Sequence, residues 1–354
     1  MAISFTWNPF GPKGRKAGAA KPPTTPAGLP ETPPEAPSEP GHFAAPDTPP
    51  SVLNQLNRCN RRLEHLLQNL RHEHNAEAEV RAIAREVMAA VALDPDIALA
   101  CIFLSQIAGS YAVRHCIETA VVGVVVARAA GASEQEVLTV TAAALTMNVG
   151  MLRHQESFQN KGPLSHEEMA VVRRHPEASA DLLQSAGIED AEWISCVLLH
   201  HENDAGTGYP AGLASPEVTR NAKLLSMADR YCAQVAARNY RCSVLPDRAL
   251  HSLLNDPHIP ADPELAQLFA QELGDYPPGT LVRLQDGALG VVTQRGQAPG
   301  ALPVHCLRDA DGAAVAPGAA RRTTGDHGIA SAISEDQVGM RFSMKQIWGQ
   351  LASL

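Results

Sequence analysis

The strongest local signal in the chain is the stretch HHENDAGTGYPAGL, which runs from His200 to Leu213. It follows an apolar run from Trp193 to Leu199, which predicts a helix that ends at the two histidines. Adjacent histidines at a helix end can share one metal ion, and the glycine-rich Tyr-Pro loop behind them can approach a ligand closely. Taken alone, a His-His-Glu triplet is only a weak metal signal.

Further candidate ligands lie at a distance along the chain. His115, His175 and Asp229 fall on three separate predicted helices, and a helical bundle can bring such positions together. Between residues 95 and about 255, Gly, Pro and Asn punctuate apolar runs, and no alternating pattern is long enough for a sheet. We therefore expect an all-helical core with a candidate metal site between its helices.

Composition favours a mainly helical, reduced protein. Hydrophobic residues make up 45% of the 354 residues but aromatic residues only 4%, which favours packed helices over an aromatic-rich sheet. The formal charge of -9 opposes binding to DNA or RNA. The seven cysteines are odd in number and form no CxxC pair, which is typical of reduced thiols. No apolar run reaches the ~20 residues of a membrane span. We expect a soluble, cytoplasmic protein with no membrane and no nucleic-acid partner.

Changes in composition and in the spacing of apolar residues divide the chain into four segments. The first holds 13 of the 27 prolines and cannot bury enough surface to order, so we predict a disordered Pro/Ala-rich leader. Leucines at three- and four-residue spacing from Leu53 to Leu70 predict N-terminal helices. Asp286-Gly287 lies between near-alternating apolar runs and predicts a hairpin in a small β module, which a final helix around Met344 to Leu354 closes. The predicted boundaries are 1–50 for the leader, 51–95 for the N-terminal helices, 96–255 for the helical domain and 256–354 for the β module with its helix.

Ordered blocks between Tyr111 and Arg241 carry a family resemblance. Besides the HHENDAGTGYP loop, they include NKGPLSHEEMAVVRRHP from Asn160 to Pro176 and MADRYCAQVAARNYR from Met227 to Arg241. The last block is predicted to be a single helix that extends to Arg241. This part of the chain resembles the HD-GYP domain, the helical metal-dependent phosphodiesterases that hydrolyse the bacterial messenger cyclic di-GMP. The resemblance implies an HD-type helical bundle. It also implies metal ligation by His115, His175, His200, His201 and Asp229, phosphate contacts by Lys161, Arg238 and Arg241, and ligand contacts by Gly208 and Tyr209 of the GYP element.

The chain departs from the family at positions that bind the metal ions and the phosphate. The family's HD block reads like AALLHDIGK, whereas residues 143–151 of this chain read AALTMNVGM, with Met147 for His, Asn148 for Asp and Met151 for Lys. In the family that Asp bridges two metal ions ~3.5–4 Å apart, which need anionic ligands between them. A neutral amide cannot replace the carboxylate, and a thioether is a soft ligand that suits Fe, Mn or Mg poorly. Ala205 also stands where the family usually has Asp.

Two main functional hypotheses follow from these matches and departures. In the first, the chain is a non-catalytic, degenerate HD-GYP protein in bacterial cyclic di-GMP signalling. It binds a signalling protein such as a diguanylate cyclase domain, a partner that the resemblance implies, and also the nucleotide, through the former active-site face. In the alternative, it is a metal-dependent cyclic di-GMP phosphodiesterase with weak or altered activity. A helical scaffold with no ligand is a third alternative.

The cofactor follows from the ligands that remain. His175, His200 and His201 can hold one divalent transition metal, Fe, Mn or Zn. The second metal would keep only His115 and Asp229, which are too few ligands for stable binding. The same histidines can also be hydrogen-bonded core residues with no metal, and this alternative stays open. No catalytic residue is expected.

Overall fold

The mainly helical fold that the sequence predicts is confirmed. The structure of the chain, a computed structural model, describes residues 50–159, 163–236, 244–296, 302–315, 320–322, 328–339 and 341–354. Their helices are α1 (Val52–Asn69), α2 (Ala76–Leu93), α3 (Pro95–Phe103), α4 (Tyr111–Ala129), α5 (Glu134–Thr146), α6 (Leu152–Gln159), α7 (His166–Ser185), α8 (Ala191–Leu199), α9 (Arg220–Val235), α10 (Pro246–Leu254), α11 (Pro263–Glu272), α12 (Glu335–Val338) and α13 (Met344–Trp348). Short 3-10 turns cover Leu70–His72, Val149–Met151 and Gly349–Ala352.

Helix α4 lies at the centre of the helical part. It packs against α1, α2, α5, α9 and α11, and valines on every side of it, including Val121, Val122, Val124 and Val126, are fully buried. A helix that is apolar all round is typical of a buried core position. Among the described residues, no helix combines the length and apolarity that a bilayer crossing requires. Because α4 is enclosed, any polar side chain that it carries needs a partner inside the protein.

Capping residues set the starts of the helices that surround the candidate site. Ser133 and Glu136 form a reciprocal capping box at the start of α5, and Ser165 and Glu168 form another at the start of α7. Each box satisfies backbone N–H groups that a helix start leaves without partners. The two boxes fix the register of α5, which ends just before Met147, and of α7, which carries His175.

The C-terminal part contains the predicted small β module. Its antiparallel strands are β1 (Leu281–Leu284), β2 (Leu289–Val292), β3 (Pro303–Arg308), β4 (Ala320–Arg322) and β5 (Ile329–Ala332), in the order β4-β3-β2-β1-β5. The predicted hairpin at Asp286-Gly287 is confirmed, because it joins β1 to β2 and Gly287 takes a φ of +92° that favours glycine.

Polar contacts join the β module to the helices. Arg295, which follows β2, pairs with Asp96 of α3 at 2.7 Å and with Glu272 of α11. The indole Nε1 of Trp348 donates to the carbonyl of Thr293 at 3.0 Å. The predicted terminal helix is present as α13 and the 3-10 turn after it. The predicted domain boundaries stay predictions, and the predicted leader, apart from Pro50, lies outside the described residues.

Candidate metal centre

Two buried histidines face each other across the helical part. His175 lies on α7, and its Nδ1 donates to the carbonyl of Val172 at 2.6 Å. His200 follows α8, and its Nδ1 donates to the carbonyl of Val197 at 2.7 Å. These bonds place the ring protons on Nδ1, so the two Nε2 lone pairs face each other at 3.1 Å. Metal-binding histidines are oriented in the same way, and a cation between the two nitrogens would satisfy both.

His201 completes a cluster of three. The candidate ligand atoms of His175, His200 and His201, which we call the histidine cluster, lie within 4.8 Å of one another. Burial, and next the charge of His200, lowers the pKa of His175 to about 3. Burial also lowers the pKa of His200, and it holds that of His201 well below the usual value. All three imidazoles are therefore neutral near pH 7, which is the form that binds a metal ion.

The donor set of the histidine cluster fits a divalent transition metal. Imidazole nitrogens suit zinc and iron, and three protein ligands leave an open coordination position for water or a ligand oxygen. The close approach of two Nε2 lone pairs in a buried site supports this fit, because without a cation their repulsion is unrelieved. The predicted cofactor, one divalent metal, thus has a matching set of side chains.

His115 and Asp229 form a separate pair. The Nε2 of His115 donates to Oδ1 of Asp229 at 2.7 Å, and their exposed fractions are 2% and 6%. Burial acts to raise the pKa of Asp229, but the hydrogen bond and charge of His115 outweigh it and hold this pKa below its usual range. The ring of Tyr111 stacks on His115 at 5.5 Å. The two predicted ligands therefore engage each other, although the charge of Asp229 still reaches the histidine cluster.

The segment around Met147 and Asn148, where the resemblance expects the HD dipeptide, is packed into the core. The side chain of Met147 is fully buried in the main apolar core, and Asn148 is 2% exposed. Oδ1 of Asn148 is buried and has no hydrogen-bond partner among the described residues. Ser179 of α7 holds the segment, because it donates to the carbonyl of Met147 at 2.8 Å and accepts from the amide of Gly150 at 2.9 Å. Met151 is half-buried.

The GYP loop, residues 203–214, lies directly against the histidines. The ring of Tyr209 stacks on His201 with centroids 4.6 Å apart, and its edge faces His175 at 6.4 Å. A Cβ on Gly208 would lie 2.4 Å from the carbonyl oxygen of His201, so this position accepts glycine alone. The loop therefore forms one wall of the candidate site.

Glu202 is a site residue that the sequence analysis does not predict. It is 2% exposed, and its carboxylate accepts from the amides of Ala211, Gly212 and Leu213 at 2.7, 2.9 and 3.1 Å. A carboxylate between two adjacent histidines and a glycine-rich loop was the available signal in the sequence. However, the hydrogen-bond partners of Glu202 are backbone amides, and these amides come together only after the loop has folded.

Three predicted phosphate contacts cannot be placed. Lys161, Arg238 and Arg241 lie outside the described residues, so their roles stay predictions. The helix that carries Asp229 was expected to run on to Arg241, but α9 ends at Val235 and Ala236 is extended. The expected length of this helix was therefore wrong.

Comparison with known proteins gives one family and several relatives. A family model described as HD domain matches residues 60–265. The chain is 29% identical over 220 residues to the cyclic di-GMP phosphodiesterase PA4108 of Pseudomonas aeruginosa, covering 62% of this chain and 52% of that protein. It is 22% identical to the cyclic di-GMP phosphodiesterase PdeB of Borreliella burgdorferi, covering 53% of this chain and 50% of that protein. The chain thus spans about half the length of these two relatives.

A shorter match and a solved structure agree with this result. The cyclic di-GMP phosphodiesterase response regulator RpfG of Xanthomonas campestris is 35% identical over 129 residues, which are 35% of this chain and 34% of that protein. The fold is similar to that of Bd1817, an HDG"Y"P protein from Bdellovibrio bacteriovorus, with a TM-score of 0.53. That match covers 63% of this chain and 73% of the other at 17% identity, so it supports the fold alone.

Proposed function

Because this chain belongs to the HD domain family, with relatives named as cyclic di-GMP phosphodiesterases, we propose that it is a non-catalytic member that acts in cyclic di-GMP signalling. Its former active-site face, which consists of the histidine cluster and the GYP loop, binds a partner protein and, as a second ligand, the nucleotide. The partner that this role favours is a diguanylate cyclase domain. Hydrolysis is not part of the proposed role.

The observation that carries the proposal is the state of the ligands for a second metal ion. Two cations ~3.5–4 Å apart require anionic oxygen between them. Here Asp229 is engaged by His115 at 2.7 Å, and the residue that the resemblance matches to the family's bridging Asp is Asn148, which has a neutral amide. Met147 is buried in the apolar core, and its thioether is a soft ligand that suits Fe, Mn or Mg poorly. These residues support binding of at most one ion.

The remaining residues suit binding better than turnover. A divalent ion on the histidine cluster would supply one Lewis-acid contact for an anionic oxygen of a ligand. His175 and His200 are oriented for that task by the carbonyls of Val172 and Val197. Tyr209 covers one side of His201 and limits the approach of water from that side. The residues around the site therefore orient a bound group, and no second centre is available to generate and aim a nucleophile.

The proposal is tested by an assay of the purified protein with cyclic di-GMP and Mn, Fe or Zn. We expect no linear or mononucleotide product above the level of a His200→Ala variant. Calorimetry on the same samples measures nucleotide binding, and a pull-down with a purified diguanylate cyclase domain measures partner binding. Turnover that the His200→Ala substitution abolishes would overturn the non-catalytic role. Absence of binding to both the nucleotide and the cyclase domain would overturn the binding role.

A restoration experiment tests the argument about the second metal. Met147→His together with Asn148→Asp returns the family's ligand types to both positions. We expect elemental analysis to find two metal ions per chain in this variant and at most one in the native protein. Two ions in the native protein would show that the neutral amide does not prevent a two-metal centre.

The second candidate function is a phosphodiesterase that works on a single metal ion. The observation in its favour is the intact histidine cluster, whose neutral rings and orienting hydrogen bonds fit metal binding. The same assay decides between the two candidates, because only this one requires product formation that depends on His200.

A further inference from the structure

The orientation of His201 differs in origin from that of the other two cluster members. Backbone carbonyls of their own helical turns hold His175 and His200. Among the described residues no hydrogen bond to the ring of His201 is present, and its ring instead packs between His200, with centroids 4.1 Å apart, and Tyr209, on which it stacks at 4.6 Å. On the side away from the cluster, the ring of His201 is therefore held by Tyr209, whose place is set by the GYP loop.

The conformation of the GYP loop depends in turn on Glu202. Three successive amides, those of Ala211, Gly212 and Leu213, point at its buried carboxylate. Converging N–H groups of this kind form a nest that stabilises an anion, and charge-assisted hydrogen bonds are stronger than neutral ones. On the other side, a Cβ on Gly208 would lie 2.6 Å from Cα of Glu202, so the loop backbone is pressed against this residue.

We propose that Glu202 is a positioning residue for the metal site. Its carboxylate holds residues 211–213 of the GYP loop, the loop holds Tyr209 over His201, and Tyr209 keeps the imidazole of His201 directed at the cluster. Glu202 touches neither a metal ion nor a ligand. This inference rests on the proposed function only in taking the histidine cluster as a metal site, and it requires neither a partner nor a nucleotide.

A set of single and double variants at Glu202 and His201 distinguishes a role in positioning the metal ligand from a role in protein stability alone. Zinc affinity is measured by competition with a chromophoric chelator for the native protein, Glu202→Gln, His201→Ala and the double variant. Loss of a residue that orients a ligand typically weakens metal binding by about 10–100-fold, and we expect this loss for Glu202→Gln. In the His201→Ala background we expect Glu202→Gln to cause no further loss, since the residue acts through His201.

Hydrogen exchange gives a readout that does not involve metal. We expect the amides of residues 211–213 to exchange faster in Glu202→Gln, while those of α7 keep their native rates. Glu217→Gln is the matched control, because Glu217 is an exposed glutamate just beyond the same loop. It should change neither zinc affinity nor exchange. If Glu202→Gln does not fold, as judged by circular dichroism, Glu202→Asp replaces it in both measurements, and the same losses are expected because its shorter side chain withdraws the carboxylate from the three amides.

Several outcomes would overturn the proposal. These are native zinc affinity in Glu202→Gln, unchanged exchange of residues 211–213, a loss that adds to that of His201→Ala, or no zinc binding by the native protein. Hydrolysis of cyclic di-GMP by the native protein would instead overturn the proposed non-catalytic role and leave this inference intact.

Discussion

Glu118 is a buried carboxylate one helical turn beyond His115 on α4. It is 2% exposed, and its Oε1 lies 3.3 Å from Nε of Arg114. Burial raises the pKa of Glu118 to about 7, although the charges of Arg114 and His115 act to lower it. A carboxyl group with this pKa changes protonation across the range in which most assays are performed.

The contribution of Glu118 to stability is therefore expected to fall as pH rises from about 4.5 to about 7. The pKa of Glu118 is above its unfolded value of 4.5, so the folded state holds the proton more tightly. The stabilising contribution is complete below pH 4.5 and is lost as pH rises through about 7. Glu118→Gln should remove this loss and gain up to about 3 kcal/mol between pH 5 and pH 8 relative to the native protein.

Urea unfolding at several pH values checks this expectation. The difference between Glu118→Gln and the native protein is measured at pH 5 and at pH 8, which cancels the constant cost of losing the contact with Arg114. Glu177→Gln, at an exposed position on α7, is the control and should follow the native curve. Parallel curves for Glu118→Gln and the native protein would contradict the assigned pKa shift.

At the scale of elements, the turn at residues 149–151 packs so closely against α7 that a side chain larger than that of glycine does not fit at Gly150. A Cβ on Gly150 would lie 2.7 Å from the carbonyl oxygen of His175 and 2.7 Å from the amide nitrogen of Ser179. Both obstacles are backbone atoms, so neither can move aside without shifting α7. We expect Gly150→Ala to destabilise the protein by about 1–3 kcal/mol, as overpacking typically does, and to weaken zinc binding because His175 moves.

Gly123 offers a matched control for this substitution. It lies inside α4, and its Cβ would meet only side-chain atoms, the nearest at 3.7 Å from Val140. Because alanine favours helix over glycine, Gly123→Ala should leave stability unchanged or raise it by about 0.5–1 kcal/mol. Denaturant unfolding and chelator competition measure both variants. Equal stability of Gly150→Ala and Gly123→Ala would show that α7 shifts without lowering the free energy of unfolding.

The elements differ in how far the sequence predicted them. Apolar periodicity indicated the helices, because a 3.6-residue pattern reports which face is buried, and the motif residues indicated the three histidines. The direct bond from His115 to Asp229 was not predicted, since the distance between α4 and α9 is set by packing. The early end of α9 at Val235 and the nest around Glu202 depend on loop backbone geometry, for which composition gives no signal.

At the scale of the whole molecule, Arg295 connects three elements. It follows β2 and pairs with Asp96 of α3 and Glu272 of α11, so one guanidinium joins the β module to two helices. The three side chains are 20–28% exposed, and hydrogen bonds between charged groups in such partly buried positions contribute more than exposed pairs.

Removal of this guanidinium is expected to loosen the module. Arg295→Ala should lower the free energy of unfolding by about 1–2 kcal/mol and speed amide exchange in β1 and β2. Arg283→Ala is the control, because Arg283 is exposed on β1 and has no ion pair among the described residues. Denaturant unfolding and hydrogen exchange measure both. Identical results for the two substitutions would show that the module is held by its apolar contacts instead.

The hydroxyl of Ser51, at the start of α1, donates to the carbonyl of Ser353. Two points that are 302 positions apart in the chain thus share one hydrogen bond. A circular permutant that links these points through a short peptide, and opens instead at the exposed turn around Asp311, would preserve the connectivity of every α-helix around the histidines.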